Sequence, residues 1–173
     1  MTGLPIDGPS DAIWDDGEWI SLDWINQQTC EQELRESFPN ANPELVKVFE
    51  DIVQTAITYK AVSGRYLPVF GELGEIFAEI TFGIKRHPPR TPGSDGRLGN
   101  DWIEIKTITP EKQSDEVQVK RKGNFNKLIV VEISEFFEFE AREIDRKDIA
   151  KGTGEFAKVY WSAMKKMLPN DPT

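Results

Sequence analysis

Cysteine, histidine and long apolar runs are scarce in this sequence. Its 173 residues include one cysteine, Cys30, and one histidine, His87. A lone cysteine forms neither an internal disulfide nor a thiolate metal site, so disulfide-stapled folds and zinc-thiolate domains are excluded. No stretch approaches the ~18 consecutive apolar residues of a membrane span, and Met1–Ser10 lacks the basic start and apolar run of a secretion signal. We therefore expect a soluble, cytoplasmic protein with no membrane partner.

Charge is distributed unevenly along the chain. Acidic residues outnumber basic ones by 30 to 21, but residues 1–60 alone hold 12 acidic and 3 basic residues. Between Lys85 and Lys127 the balance reverses, with 10 basic residues against 6 acidic ones. An acidic protein is an unusual partner for nucleic acid, yet this locally basic region keeps a nucleic-acid partner open.

The pattern of residues predicts an N-terminal arm followed by one domain. Residues 1–40 are predicted to form an acidic arm with a short helix after Ser21. Trp14 and Trp19 could dock this arm onto the rest of the protein. The arm is either an inert tether or a region that recruits a partner protein or engages a basic surface. The remaining residues, 41–173, predict one domain, and the chain as a whole has enough apolar material for a core, since it is 38% hydrophobic with 10 Phe and 5 Trp.

Hydrophobic periodicity within residues 41–173 predicts helices first, then strands, then a closing helix. The predicted helices are 43–62, 68–82 and 155–168, and the predicted strands are 102–109, 116–120, 128–133 and 136–142. The run LIVVEI at 128–133 is apolar on both faces, as expected of a central strand. This order indicates an α/β or α+β fold with a single mixed central sheet flanked by helices.

The stretch from Asp95 to Lys106 places acidic and basic residues in a pattern that indicates chemistry. Glu104 and Lys106 are two residues apart in a predicted strand and therefore point to the same face, opposite Ile103 and Ile105. Asp95 precedes a glycine-rich turn that folds it back beside Glu104 in a predicted hairpin. Two carboxylates and one ammonium group then converge, and carboxylate oxygens are the ligands that Mg²⁺ prefers.

A structural interpretation of the same residues is also open. Glu104 and Lys106 fit the solvated face of an edge strand, and the Asp95-Gly96 pair fits an ordinary turn. The fragment Glu-x-Lys is by itself a weak signal, because many acidic strands contain one.

Asp95 followed by Glu104-Ile105-Lys106 resembles the D…(D/E)-x-K signature of the PD-(D/E)XK nuclease superfamily, which includes many restriction endonucleases. The resemblance covers roughly Leu45 to Leu168 and extends to small bacterial domains of unknown function. It departs from the usual pattern at Ser94, where the family often has proline. It implies a restriction-endonuclease-like core and a metal-dependent nuclease, with DNA as the favoured substrate.

The resemblance also implies roles for individual residues. Asp95 and Glu104 would hold Mg²⁺ or Mn²⁺, and Lys106 would position or activate the attacking water. A helix glutamate often completes such sites, and Glu75 is the best match, with Glu72 and Glu79 as alternatives. The residues expected to contact nucleic acid are Gln118, Lys120, Arg121 and Arg97.

A different class of function fits the same fold. The acidic N-terminal third and the modest basic surface favour a non-catalytic binding or regulatory module, for instance a component of a defence or toxin–immunity locus. A homodimer is a further expectation, because double-strand cutters of this family commonly act as dimers.

Overall fold

The computed structural model describes residues 11–39, 41–89 and 91–169. The chain divides into two compact units, Met1–Pro39 and Asn40–Thr173. Among the described residues, no helix combines the length and apolar character needed to cross a membrane.

The N-terminal unit is a hairpin followed by a helix. Strands β1 (Ala12–Asp15) and β2 (Glu18–Ser21) pair antiparallel around Asp16 and Gly17. Both turn residues have positive φ, 39° and 96°, as a two-residue Asp-Gly hairpin turn requires. Helix α1 (Leu22–Ser37) then begins at its N-cap Ser21, whose Oγ accepts a hydrogen bond from the third residue of the helix. A helix was predicted after Ser21, and it is longer than the short helix expected, with 16 residues. Strands β1 and β2 were not predicted, and residues 1–10 lie outside the described residues.

The second unit begins with two amphipathic helices. Helix α2 (Pro43–Ser63) is capped by Asn42 and ends at Gly64, and α3 (Phe70–Phe82) ends at Gly83. Both glycines adopt a left-handed φ, 69° and 72°, which stops a helix at little cost in a residue without a Cβ. Both helices were predicted within two residues of these bounds. The strands that follow are β3 (Lys85–Arg86), β4 (Gly96–Leu98), β5 (Asp101–Ile108), β6 (Glu116–Lys120), β7 (Lys127–Ile133), β8 (Phe139–Asp145), β9 (Phe156–Tyr160) and β10 (Lys165–Lys166).

The strands form one mixed sheet of six strands in the order β10-β8-β7-β5-β4-β3. The pair β5–β7 is parallel, and the other pairs in this sheet are antiparallel. The crossover from β5 to β7 runs through β6, which pairs with β9 in a separate two-stranded sheet. A mixed central sheet flanked by helices, as predicted from the sequence, is confirmed.

The central sheet is buried on both faces. One face packs on α2 and α3 through residues such as Ile103, Ile105 and Ile129. The other face packs on the β6–β9 sheet through Ile108, Leu128 and other side chains. Strand β7 contributes alternate residues to the two cores, which explains its unbroken apolar sequence.

The predicted helix over 155–168 was wrong. The structure has two short strands there, β9 and β10, joined by a 3₁₀ turn at Trp161–Ala163. Ala157, Val159 and Trp161 are buried at a spacing of two, the period of a strand covering the core. The outer strand predicted at 136–142 also lies later, at Phe139–Asp145, because residues before it form a turn in which Phe137 has a φ of 59°.

Candidate functional site

The β4–β5 hairpin brings Asp95 to the middle of β5. Gly96 pairs with Ile103, and the backbone N–H of Asp95 donates to the carbonyl of Ile103 at 2.8 Å. The Oδ2 atom of Asp95 then accepts a hydrogen bond of 2.6 Å from the backbone N–H of Ile105. Ile105 lies between Glu104 and Lys106, so the predicted hairpin forms and places the aspartate at the motif.

Glu104 and Lys106 share one face of β5, as the sequence predicts. Their side chains form an ion pair with 2.6 Å between Lys106 Nζ and Glu104 Oε1. Ile103 and Ile105 point to the opposite face and are buried against α2 and α3. The apolar residues therefore anchor β5 in the core while the charged residues stand on its other face.

The site lies where β4 and β5 separate. Within the described chain, no strand pairs with this side of β5 beyond Ile103. The next backbone donor on this side, the N–H of Ile105, is satisfied by the Asp95 carboxylate. Asp95 therefore takes the place of a strand partner at this edge of β5.

Helix α3 brings Glu75 to the same place. The preceding residue, Gly74, lies directly against Thr107 of β5, since a Cβ built on Gly74 would fall 2.2 Å from Thr107 Oγ1. Burial raises the pKa of the Glu75 carboxyl above its ordinary value, and the charge of Asp95 raises it further. Lys106 acts in the opposite direction. Glu75 therefore interacts electrostatically with two of the other candidate residues.

Arg86 of β3 pairs unequally with the three glutamates of α3. Its guanidinium contacts Glu79 at 2.5 Å and Glu72 at 2.6 Å, whereas Glu75 Oε2 lies 3.7 Å away. Glu72 and Glu79 are thus occupied in neutralising Arg86, and Glu75 remains the best of the three as a site residue. The sequence signal for this arrangement was available, because glutamates at spacings of three and four form one acidic stripe on a helix.

The four residues expected to contact nucleic acid are not gathered in one place. Arg97 lies opposite Trp102 in the hairpin, and its guanidinium stacks 4.9 Å from the Trp102 ring. Trp102 shares its face of β5 with Glu104, so Arg97 stands beside the candidate site.

Strand β6 carries the other candidates. Val117 and Val119 of this strand face the central sheet, so Gln118 and Lys120 alternate with them and are exposed. Arg121, just after the strand, donates to the carbonyl of Ala150. Among the described residues, no hydrogen bond or ion pair joins these β6 residues to Asp95, Glu104 or Lys106.

The donors at the site match a hard divalent cation in type. Mg²⁺ is commonly bound through one or two carboxylates, substrate phosphate and water, and Asp95, Glu104 and Glu75 supply three carboxylates. Burial is the main cause of the raised pKa of Glu75, and the charge of Asp95 adds to it. In the described ranges, however, no group of three or more His, Cys, Asp and Glu side chains is arranged to hold a metal ion.

No known protein-family model matches this sequence, and no curated protein matches it.

Proposed function

We propose that the Asn40–Thr173 unit is a metal-dependent endonuclease of the PD-(D/E)XK type that hydrolyses phosphodiester bonds, with DNA as its substrate. One observation carries the proposal: the Asp95 carboxylate binds the backbone N–H of Ile105 at 2.6 Å, between Glu104 and Lys106. This hydrogen bond supports the proposal, because it holds the Asp95 carboxylate against the backbone of the strand that carries Glu104 and Lys106.

Asp95 and Glu104 would hold Mg²⁺ or Mn²⁺, with Glu75 as a third carboxylate. A divalent cation bound there would offset charge on the phosphate and lower the pKa of a bound water. Lys106 holds its ammonium group beside Glu104 at 2.6 Å, where it can donate a hydrogen bond to the attacking water or to a phosphate oxygen. The buried Ile103 and Ile105 fix the strand, so these groups keep their positions as the substrate enters.

The substrate would lie along the open edge of β5. Arg97 is exposed and stacked on Trp102 on the same face as Glu104, and it would contact a backbone phosphate. Phosphate contacts of this kind position the nucleic acid without reading its sequence.

A cleavage assay tests the proposal. Plasmid DNA and a matched RNA would be incubated with the full chain in the presence of Mg²⁺, Mn²⁺ or a chelator. We expect metal-dependent cleavage of DNA that falls by about a hundredfold or more in Glu104→Gln and Lys106→Gln. Glu111→Gln is the matched control, since it removes an exposed carboxylate from the connection after β5. Cleavage that survives in the Glu104 variant, or that needs no metal, would overturn the assignment.

A second candidate is a non-catalytic binding or regulatory module on the same scaffold. The observation that favours it is the ion pair between Glu104 and Lys106, which occupies a carboxylate needed for metal binding. Titration with Mn²⁺ separates the two candidates, because Trp102 shares the face of Glu104 and its fluorescence reports on the site. A response lost in Glu104→Gln supports the enzyme, and indifference to metal supports the module.

A further inference from the structure

A basic cavity lies outside the candidate site, since none of the candidate metal-binding residues lines it. The cavity has a volume of about 240 Å³ and is bounded by the end of β6 and the segment before β9. Four of its lining residues are cationic, namely Lys120, Arg121, Arg146 and Lys151, and no acidic side chain lines it. Since water takes about 30 Å³ per molecule in the liquid, the cavity has room for a phosphate group together with several waters.

Arg121 is one of the cationic residues that line this cavity. Its Nη1 donates to the carbonyl of Ala150. Its Nε is buried and has no hydrogen-bond partner among the described residues. This Nε lies among protein atoms rather than at the cavity surface. Arg121 therefore contributes the positive charge of its guanidinium to the cavity lining, and not this donor.

Arg146 lines the cavity and is held in place by backbone carbonyls. Its guanidinium donates to the carbonyls of Gly123, Phe125 and Arg121, and it stacks 5.0 Å from the Phe125 ring. These bonds tie the turn after β6 to the segment that follows β8. Arg146 therefore keeps its charge at the cavity while its own donors are used by the backbone.

The positive charge of the cavity is not neutralised by neighbouring acids. Within the described part of the chain, none of the four cationic residues forms an ion pair with a carboxylate. Clustered cations in a partly enclosed space repel one another, and an anion relieves that repulsion.

Gly152 allows the backbone to approach the Arg121 guanidinium. A Cβ built on Gly152 would lie 2.8 Å from Arg121 Nη2 and 3.2 Å from its Cζ. Any side chain at this position would displace the guanidinium. The position of the Arg121 guanidinium therefore depends on the absence of a side chain at residue 152.

We propose that this cavity binds a phosphate group, held by the positive charge of the Arg121 guanidinium and by the ammonium groups of Lys120 and Lys151. Arginine and lysine are the usual partners of phosphate oxygens, and such charge-assisted hydrogen bonds are short and strong. The group belongs either to a phosphorylated nucleic-acid end or to a small phosphorylated molecule. The proposal does not rest on the nuclease function, because binding is measured without cleavage.

Calorimetric titration of the full chain with inorganic phosphate tests the site, with sodium chloride at the same ionic strength as the blank. We expect saturable binding that weakens about tenfold or more in Lys151→Gln, which removes one charge-assisted hydrogen bond. Gly152→Ala should weaken binding as well, because the added methyl displaces Arg121. Lys122→Gln removes a charge from the same segment outside the cavity lining and should change the affinity less than about twofold.

The outcomes that overturn the site are specific. Binding no stronger than in the chloride blank, or equal weakening in Lys151→Gln and Lys122→Gln, would reduce the cavity to a general basic surface. If Gly152→Ala does not fold, Lys151→Gln decides the matter, since Lys151 is exposed and makes no ion pair with a described residue. Binding that persists in Glu104→Gln separates this cavity from the candidate active site.

Two oligodeoxynucleotides of one sequence, with and without a 5′-phosphate, then identify the source of the group. Tighter binding of the phosphorylated strand, lost in Lys151→Gln, assigns the cavity to a nucleic-acid end. Equal binding of the two strands, together with saturable binding of inorganic phosphate, assigns it to a small phosphorylated molecule. Both results support a phosphate site.

Discussion

Gly74 of α3 lies against Thr107 of β5, and a Cβ built on the glycine would fall 2.2 Å from the threonine Oγ1. Glycine in a helix costs about 1 kcal/mol relative to alanine, so its presence here calls for a reason. The close approach supplies it, because this contact sets the distance between helix and strand. Glu75 follows Gly74 directly and reaches the candidate site from that position.

Gly74→Ala should lower the free energy of unfolding. The added methyl overlaps Thr107 Oγ1, and forcing extra atoms into a packed contact costs about 1 to 3 kcal/mol. Gly71→Ala is the control in the same helix, because a Cβ at that position meets nothing within 4 Å. It should leave stability unchanged or raise it by up to about 1 kcal/mol. Chemical denaturation of both variants measures the difference, and equal stabilities would show that α3 moves away from β5 at no cost.

The local part of the site could be predicted from the sequence. Alternation places Glu104 and Lys106 on one face of β5, and a glycine-rich turn returns Asp95 to that strand. Both arrangements depend on short-range geometry: the two-residue period of a strand and the reach of a hairpin. The structure shows both.

Arrangements that depend on tertiary contacts could not be predicted. The segment 155–168 has apolar residues at helical spacing, yet Ala157, Val159 and Trp161 cover the second face of the central sheet as a strand and turn. Packing overrode local periodicity there. The placement of β6 was missed for the same reason, because its partner β9 lies in the segment that was predicted to be helical.

Asp95 has a structural role as well as a proposed catalytic one. Asp95→Ala leaves the buried N–H of Ile105 without its acceptor, which should lower the free energy of unfolding by about 1 to 3 kcal/mol. Asp95→Asn keeps an acceptor oxygen at the same position and removes the charge. It should therefore retain near wild-type stability and lose metal-dependent cleavage.

Denaturation and cleavage measured on both Asp95 variants separate the two roles. Loss of activity in Asp95→Asn without loss of stability would place the carboxylate charge in the reaction. Full activity in this variant would contradict a role in metal binding. Equal stability of Asp95→Ala and the wild type would mean that water satisfies the Ile105 N–H.

Lys106 should compete with a divalent cation for Glu104. The ammonium group occupies Glu104 Oε1 at 2.6 Å, so a cation must displace it or share the carboxylate. Lys106→Met removes the competing charge and keeps the length of the side chain. We expect Mg²⁺ to bind about two- to fivefold more tightly, in line with the ~0.2–1 kcal/mol that such partly exposed ion pairs contribute, while cleavage is lost. Calorimetric titration measures the affinity, and weaker binding in this variant would show that Lys106 supports the metal site.

Glu75 should make stability depend on pH in a defined direction. Burial and the charge of Asp95 raise the pKa of Glu75 above its ordinary 4.5. A carboxyl with a higher pKa in the folded state stabilises the fold below its unfolded pKa and loses that contribution as pH rises through the folded pKa. Glu75→Gln should therefore match the wild type below about pH 4.5 and become the more stable protein as pH rises above it.

Urea denaturation across this range measures the crossing, with Glu111→Gln as the control for loss of an exposed carboxylate, which should show no such gain. Saturating Mg²⁺ provides a second arm of the experiment. If a cation is held by Asp95 and Glu104, it stabilises the charged form of the Glu75 carboxylate, and the advantage of Glu75→Gln at neutral pH should shrink. If the stability advantage of Glu75→Gln is the same with and without Mg²⁺, no bound metal influences Glu75. Its raised pKa would then result only from the packing of α3 against β5.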